Sequence, residues 1–281
     1  MSSRSFEQSY DGPPAEIGVI GGSGFYEFLD DARRVELDTP FGAPSDALQV
    51  GRVGGRAVAF LPRHGRGHRL PPHRVNYRAN LWALRATGVR QVIGPCAVGS
   101  LREENGPGTL VVLDQLVDRT SGRAGTFYDE PGHVVHVAFA DPYCPHGRAA
   151  VLRAAADTQG RRPVDGGTLV VINGPRFSTR AESLWHQGQG WTVVGMTGAP
   201  EAALARELAL CYTAIALVTD HDAGLEHGDG VTHEEVLRVF GENIAGLRGL
   251  LTDVIALLPP RDDDCTCRHS LDGLTLPFPL P

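Results

Sequence analysis

Residues 200–222 read PEAALARELALCYTAIALVTDHD. Proline near the start and the Ala/Leu/Glu/Arg run behind it predict a helix over Pro200 to Leu210. Tyr212 to Val218 follows as a nearly unbroken apolar run, the pattern of a strand buried on both faces. It stops at four polar residues, Thr219-Asp220-His221-Asp222. Helix, buried strand and polar loop form the repeating unit of an α/β protein.

The same alternation extends in both directions. Glu16 to Ile20 is a short strand halted by Gly21-Gly22-Ser23-Gly24. Ala47 to Val53 and Ala57 to Leu61 form a hairpin around Gly54-Gly55. Val75 to Thr87 is helical, Gln91 to Ile93 resumes as a strand into Cys96-Ala97-Val98-Gly99-Ser100, and Leu110 to Leu116 is another strand. Arg148 to Thr158 and Ala181 to His186 read as helices, and Thr168 to Ile172 and Val193-Val194 as strands. Thr232 to Leu258 is a long helix opened by a capping box of Thr232 and Glu235. The expectation is a flexible N-terminus over 1–14, one α/β domain over 15–258, and a Pro/Cys-containing tail over 259–281. Ligands of open α/β sheets gather at the carboxyl ends of strands. That singles out the loops after Ile20, around Arg63, after Ile93, after Val194 and after Val218.

Composition removes several function classes. The chain has 281 residues, 42% of them hydrophobic, and a formal net charge of -7, which argues against coating nucleic acid. All basic side chains other than histidine are arginine, so Schiff-base lysine chemistry and the Walker-A lysine are excluded. No apolar stretch is long enough to span a membrane. The polar start lacks a signal-peptide pattern, and five scattered cysteines are not a disulfide framework. A cytoplasmic protein in a reducing compartment is expected.

Three loops carry residues suited to chemistry. Glycines around Ser23 let backbone N–H groups approach an anion, although the last glycine of a dinucleotide fingerprint is missing. Pro62 to Arg69 packs three arginines and two histidines into eight residues, which suits a small polyanion. A metal reading of His64, His68 and His73 lacks an acidic partner. Asp220 and Asp222 can chelate a divalent cation, or one can act as a general acid. Cys265-Thr266-Cys267 with His269 offers three local ligands for a metal or a redox pair; the expectation is a flexible or docked tail instead.

Taken in order, these stretches resemble the trimeric purine nucleoside phosphorylase family, closest to its 5'-methylthioadenosine phosphorylase branch. The matching segments are Gly18 to Gly24, Thr39 to Asp46, Arg63-His64-Gly65, Val75 to Asn80 and Gly99 to Arg102. They continue through Asp114-Gln115, Asp118-Arg119-Thr120, Gly174 to Ser178, Met196-Thr197, Pro200-Glu201 and Thr219 to Asp222. The resemblance implies one α/β domain with a mixed, partly barrelled sheet. It also implies a homotrimer and phosphorolysis of a purine nucleoside, with inorganic phosphate as co-substrate and neither metal nor organic cofactor.

By position, the resemblance assigns phosphate to Ser23, Arg63, His64, the Ala97 backbone N–H and Thr197. Cys96 stands where the methylthioadenosine enzymes usually have threonine. Met196 would lie under the ribose, Phe177 against the purine with Asp220, His221 and Asp222, and His136 would come from a neighbouring subunit over the 5' end. Asp220 would be the general acid near N7. Branches using 6-oxopurines have Asn and Glu where this chain has Asp220 and Ser178, so an adenine-type base is expected. His233 replaces a small apolar residue beside Val236 and raises a 5'-hydroxyl as the alternative to a thiomethyl group. Gly195, where that branch usually has Asn, leans the same way. A non-catalytic nucleoside sensor, or a magnesium enzyme at the Asp220 and Asp222 pair, are the rival readings.

Overall fold

The computed structural model describes residues 10–22, 29–132, 134–156, 163–223, 232–260 and 264–281. Eleven strands among them form one mixed sheet. In chain order the elements are β1 (Ile17–Gly21), β2 (Asp30–Val35), β3 (Leu48–Val53), β4 (Arg56–Pro62), α1 (Tyr77–Ala86) and β5 (Gln91–Ser100). Then come β6 (Leu110–Val112), β7 (Gln115–Asp118), α2 (Pro145–Ala156), β8 (Val164–Asp165), β9 (Thr168–Val171) and α3 (Arg180–Gly188). The last are β10 (Val193–Gly195), α4 (Gly198–Glu207), β11 (Cys211–His221) and α5 (His233–Leu257).

β5 is the centre of the sheet. It runs parallel to β11 from Gln91↔Cys211 to Ser100↔His221. Its other edge is shared, by β1 at Gln91 to Ile93 and by antiparallel β10 at Gly99 and Ser100. From the two ends of that shared edge the sheet continues through β1, β4, β3 and β2 and through β10, β9 and β7. β6 pairs with β11 and β8.

Strand residues alternate between two cores, as a two-residue side-chain period requires. Tyr212, Ala214, Ala216 and Val218 face a core that α1 and α4 close with Leu81, Trp82 and Leu204, joined by Leu208 just past the end of α4. Ile215 and Leu217 face the other, closed by Val151 of α2 and by Leu247, Leu251 and Ile255 of α5. Covering both faces explains why β11 reads as a continuous apolar run.

Most predicted elements hold, and the differences have physical causes. The β3–β4 hairpin turns at Gly54 and Gly55, both at positive φ (55° and 83°), which a two-residue turn of this hand needs. The strand predicted over Leu110 to Leu116 is two strands. The Asp114 carboxylate accepts the Gly167 N–H (2.8 Å) at the break, sending β6 toward β11 and β7 toward β9. β2 went unpredicted because Asp30, Asp31, Arg33 and Arg34 carry no apolar alternation, and nearly all of the strand is exposed. α3 is longer than predicted, since Thr179 and Glu182 form a reciprocal capping box at its start. The capping box expected at α5 rests on the Glu235 side chain, which lies outside the described residues.

Of the N-terminus expected to be flexible, residues 1–9 lie outside the described residues, whereas Tyr10 packs on the first core. The C-terminal tail docks. Phe278 sits among Trp82 (5.8 Å between ring centroids), Tyr128 (5.3 Å) and Phe41 (6.4 Å). Among the described residues no helix is long and apolar enough to cross a membrane.

Candidate active site

A cavity of about 510 Å³ opens where β5 and β11 meet the loops after β4, β9 and β10. Of the residues singled out in the sequence, Arg63, His64, Cys96, Ala97, Phe177, Ser178, Met196, Thr197, Asp220, Asp222 and Val236 all line it. Ser23 lies outside the described residues. His233 opens α5, but its side chain is likewise outside the described set. Gly195 is in the wall.

At one end the Arg63 guanidinium is buried beneath the sheet. Its Nε and Nη2 both donate to the Glu201 carboxylate (2.8 Å each), and Nη1 donates to the Pro95 carbonyl (3.0 Å). Burial opposes the charge, but Glu201 outweighs it and raises the guanidinium pKa. Among the described residues, three of its five N–H groups are thus engaged and two remain. Of the three arginines in the cluster, Arg66 is exposed, whereas Arg69 also lines the cavity and donates through Nη2 to the Ser45 carbonyl (2.6 Å).

His64 beside it is held in one tautomer. Its Nδ1 lies 2.8 Å from the Leu70 carbonyl, which can only accept, so Nδ1 carries the proton and Nε2 is an acceptor. His68 stacks on its ring at 4.2 Å. Burial, with the Arg63 charge adding to it, pushes the imidazole down to about 4 against the pull of the Leu70 bond. Thr197 stands at the start of α4 and makes no capping bond with its side chain. Burial raises the Cys96 thiol to about 11, so it offers a neutral S–H.

The depressed imidazole ties stability to pH. Unfolded, His64 takes up its proton near the ordinary 6.5; folded, it refuses it until about 4. The unfolded chain binds more protons between those values, so the stabilisation is full above 6.5 and falls away as pH drops toward 4, by up to about 3 kcal/mol. Urea unfolding across that window should show this loss, and His64→Gln should flatten the slope by one proton. An unchanged slope would contradict the assignment.

At the other end, β11 ends on two carboxylates. Thr219 Oγ1 donates to Asp220 Oδ2 (2.7 Å), which orients that side chain. Asp222 Oδ2 and Ser178 Oγ are buried with no hydrogen-bond partner among the described residues. Two unpaired polar atoms in a cavity wall suit a ligand with a polar edge. His221 corrects the prediction: strand alternation turns it to the opposite face, where it approaches Gly106 rather than the cavity. His136 is exposed and is not part of this chain's own cavity.

Gly99 is what allows Asp220 its position. A Cβ at Gly99 would stand 2.9 Å from Asp220 Oδ1 and 3.3 Å from Val194 Cγ1. Gly99→Ala should leave the fold intact by circular dichroism but push the carboxylate aside. A misplacement of about 1 Å is worth roughly 10²-fold in turnover. Activity within twofold of the parent would show that Asp220 is not held by this approach.

The residues that hold the site together carry little signal in the sequence. Glu201 stands out there only within the matching pair Pro200-Glu201, yet it is 1% exposed and also accepts the Tyr212 hydroxyl (2.6 Å). A carboxylate on the Ala/Leu face of a helix was the available clue. Arg123 Nη1 donates to the carbonyls of Met196 (2.9 Å) and Ala199 (2.5 Å), and its Nη2 to that of Asn173 (2.9 Å), lashing two site loops together. Phe240 joins Val236 as an apolar wall.

The chain is 65% identical over 95% of its length to a Streptomyces coelicolor protein named purine nucleoside phosphorylase, covering 98% of that protein. It is 57% identical to an S-methyl-5'-thioadenosine phosphorylase of Mycolicibacterium smegmatis, with 94% and 99% of the two chains covered. Its fold matches a crystal structure of methylthioadenosine phosphorylase from an antarctic soil metagenomic library (TM-score 0.87, 38% identity, 94% and 93% covered). It also matches the Schistosoma mansoni methylthioadenosine phosphorylase in complex with adenine (TM-score 0.80, 40% identity, 86% and 91% covered). With residues 16–256 matching the family model described as phosphorylase superfamily, the chain belongs to that superfamily.

Proposed function

We propose that this protein is a pentosyltransferase that uses inorganic phosphate to cleave 6-aminopurine nucleosides, 5'-methylthioadenosine first among them, to adenine and a ribose-1-phosphate derivative. The observation that carries this reading is the layout along β5. Arg63 is fixed at Pro95, and Asp220 pairs with Gly99. Four residues of extended strand separate an anion anchor from an acid by about 13 Å. That is the span of a phosphate, a sugar and the imidazole ring of a purine.

Phosphate at the Arg63, His64 and Thr197 end attacks C1' as the glycosidic bond breaks. The neutral His64 Nε2 accepts a hydrogen bond from a phosphate hydroxyl, and the spare guanidinium protons and the Thr197 hydroxyl donate to its oxygens. The anion lies beneath a sugar that gains positive charge, which favours the transition state. Asp220 delivers or shares a proton at N7 as the base gains negative charge. Asp222 Oδ2 accepts from the 6-amino group, and Ser178 bears no charge that would select N1–H of a 6-oxopurine. No organic cofactor takes part. Ser23 completes the phosphate end, Met196 lies under the ribose and Phe177 against the base.

The same reading makes the protein a cytoplasmic homotrimer, in which His136 of one subunit covers the 5' end of the next; its exposure outside its own cavity supports this. Phosphate-dependent adenine release from 5'-methylthioadenosine, followed by absorbance, tests the function. Release only when phosphate is present is expected, and no adenine from any 5' variant rejects it. Activity abolished by EDTA would favour a magnesium enzyme, and binding without turnover a sensor.

A second reading concerns the 5' group. The Val236 and Phe240 wall suits a thiomethyl substituent, whereas His233 at the start of α5 and the purine nucleoside phosphorylase relative favour a hydroxyl. His233→Val should raise kcat/KM for methylthioadenosine relative to adenosine by about tenfold, the worth of sheltering one small apolar group from water. An unchanged ratio removes His233 as a selector.

A further inference from the structure

Away from the cavity, four cysteines from three separate parts of the chain converge. Cys144 precedes α2, Cys211 begins β11, Cys265 immediately precedes the short helical turn Thr266–His269 of the tail, and Cys267 sits on it. The three ligands local to the tail are therefore an incomplete set: the fold adds Cys144 and Cys211, while His269 turns away to Asp272 (2.7 Å). All four sulfurs lie within 4.8 Å of one another, and each residue is 5% exposed or less. Cys265 Sγ is 3.6 Å from Cys144 Sγ and 3.4 Å from Cys211 Sγ.

We propose that Cys144, Cys211, Cys265 and Cys267 hold one zinc ion as a closed, structural four-thiolate site. Zinc in such sites is tetrahedral with bonds of about 2.3 Å, which sets sulfurs about 3.8 Å apart, close to the spacing found here. A disulfide needs about 2.0 Å and joins sulfurs in pairs, not in a mutual group of four. The surroundings suit bound thiolates. The Gly147 N–H at the start of α2 points to Cys144 Sγ (3.5 Å), and Arg206 Nη2 stands 4.0 Å from Cys267 Sγ. Arg206 is itself fixed by the carbonyls of Asp141 (2.6 Å) and Ala138 (3.2 Å). Each thiol loses its proton to water as the metal binds, so four ligands and one divalent ion leave a net charge that the guanidinium partly offsets. With four protein ligands there is no open position for substrate. The site lies nine residues of strand from Asp220, about 30 Å along β11, so its role is to staple the tail and α2 to the sheet.

The full-length protein, purified with reductant from zinc-supplemented medium, should carry about one zinc per chain by elemental analysis. Cobalt-substituted protein should show the intense visible bands of a tetrahedral thiolate site. Cys267→Ser and Cys265→Ser should lose the metal, and His269→Ala should keep it. Metal-free protein in which the four thiols alkylate freely would overturn the proposal. So would a mass showing two disulfides in protein never exposed to oxidant. Both readouts use the wild-type chain and decide the matter even if the serine variants do not fold.

Discussion

Replacing Asp220 with asparagine should slow adenine release by about 10²–10⁴-fold while the protein stays folded. The carboxamide is nearly the same size and can still take the Thr219 hydroxyl bond, so packing at the end of β11 changes little. It cannot hand over a proton as the purine departs. The loss should fall on kcat more than on KM, because the interaction strengthens only as charge develops on the base. It should be smaller for nucleosides whose base leaves easily, such as those already alkylated at N7. Equal slowing of both substrate classes would assign Asp220 to binding alone, and undiminished release would remove it from the mechanism.

The Arg63 and Glu201 pair should give the largest stability effect. Both side chains are 3% exposed or less, and they meet through two parallel 2.8 Å bonds across 138 residues of sequence. Glu201→Ala strands a buried guanidinium and frees the Tyr212 hydroxyl, at a cost of about 3–5 kcal/mol in urea or thermal unfolding. Replacing both partners, as Arg63→Met with Glu201→Leu, should recover most of that stability, since two apolar side chains need no counter-charge. The double variant should nevertheless lose phosphate-dependent activity by about 10²-fold or more, because the anion anchor is gone. Recovery of activity along with stability would show that the pair is purely structural.

Residue patterns reveal the fold and the site unequally. β11, β4 and the helices between them were readable because burial on both faces demands apolar residues in unbroken runs, and those runs end at glycine or charge. β2 was not, because an exposed edge strand places no demand on side-chain polarity. The cavity-lining loops were readable since chemistry concentrates polar groups after apolar strands. His221 was misassigned because a run of polar residues does not show which of them alternation turns inward. Glu201 and Arg123 were invisible as functional groups: their meaning lies in partners tens of residues away. The cysteines illustrate the same limit. Cys265 and Cys267 stood out by spacing, but Cys144 and Cys211 look like isolated core residues until helix α2 and strand β11 bring them together.

β5 is covered by β11 along one whole edge, while its other edge is paired at its two ends, with β1 at Gln91 to Ile93 and with β10 at Gly99 and Ser100, and opens on the cavity between them. The amides that β5 and β11 bond between them should therefore exchange with deuterium only when the whole molecule opens, among the slowest in the chain, whereas those of β5 that face the cavity should exchange faster. Because the anchors of anion and nucleobase both hang on that strand, loss of activity on heating should coincide with loss of tertiary structure, with no inactive but folded stage before it.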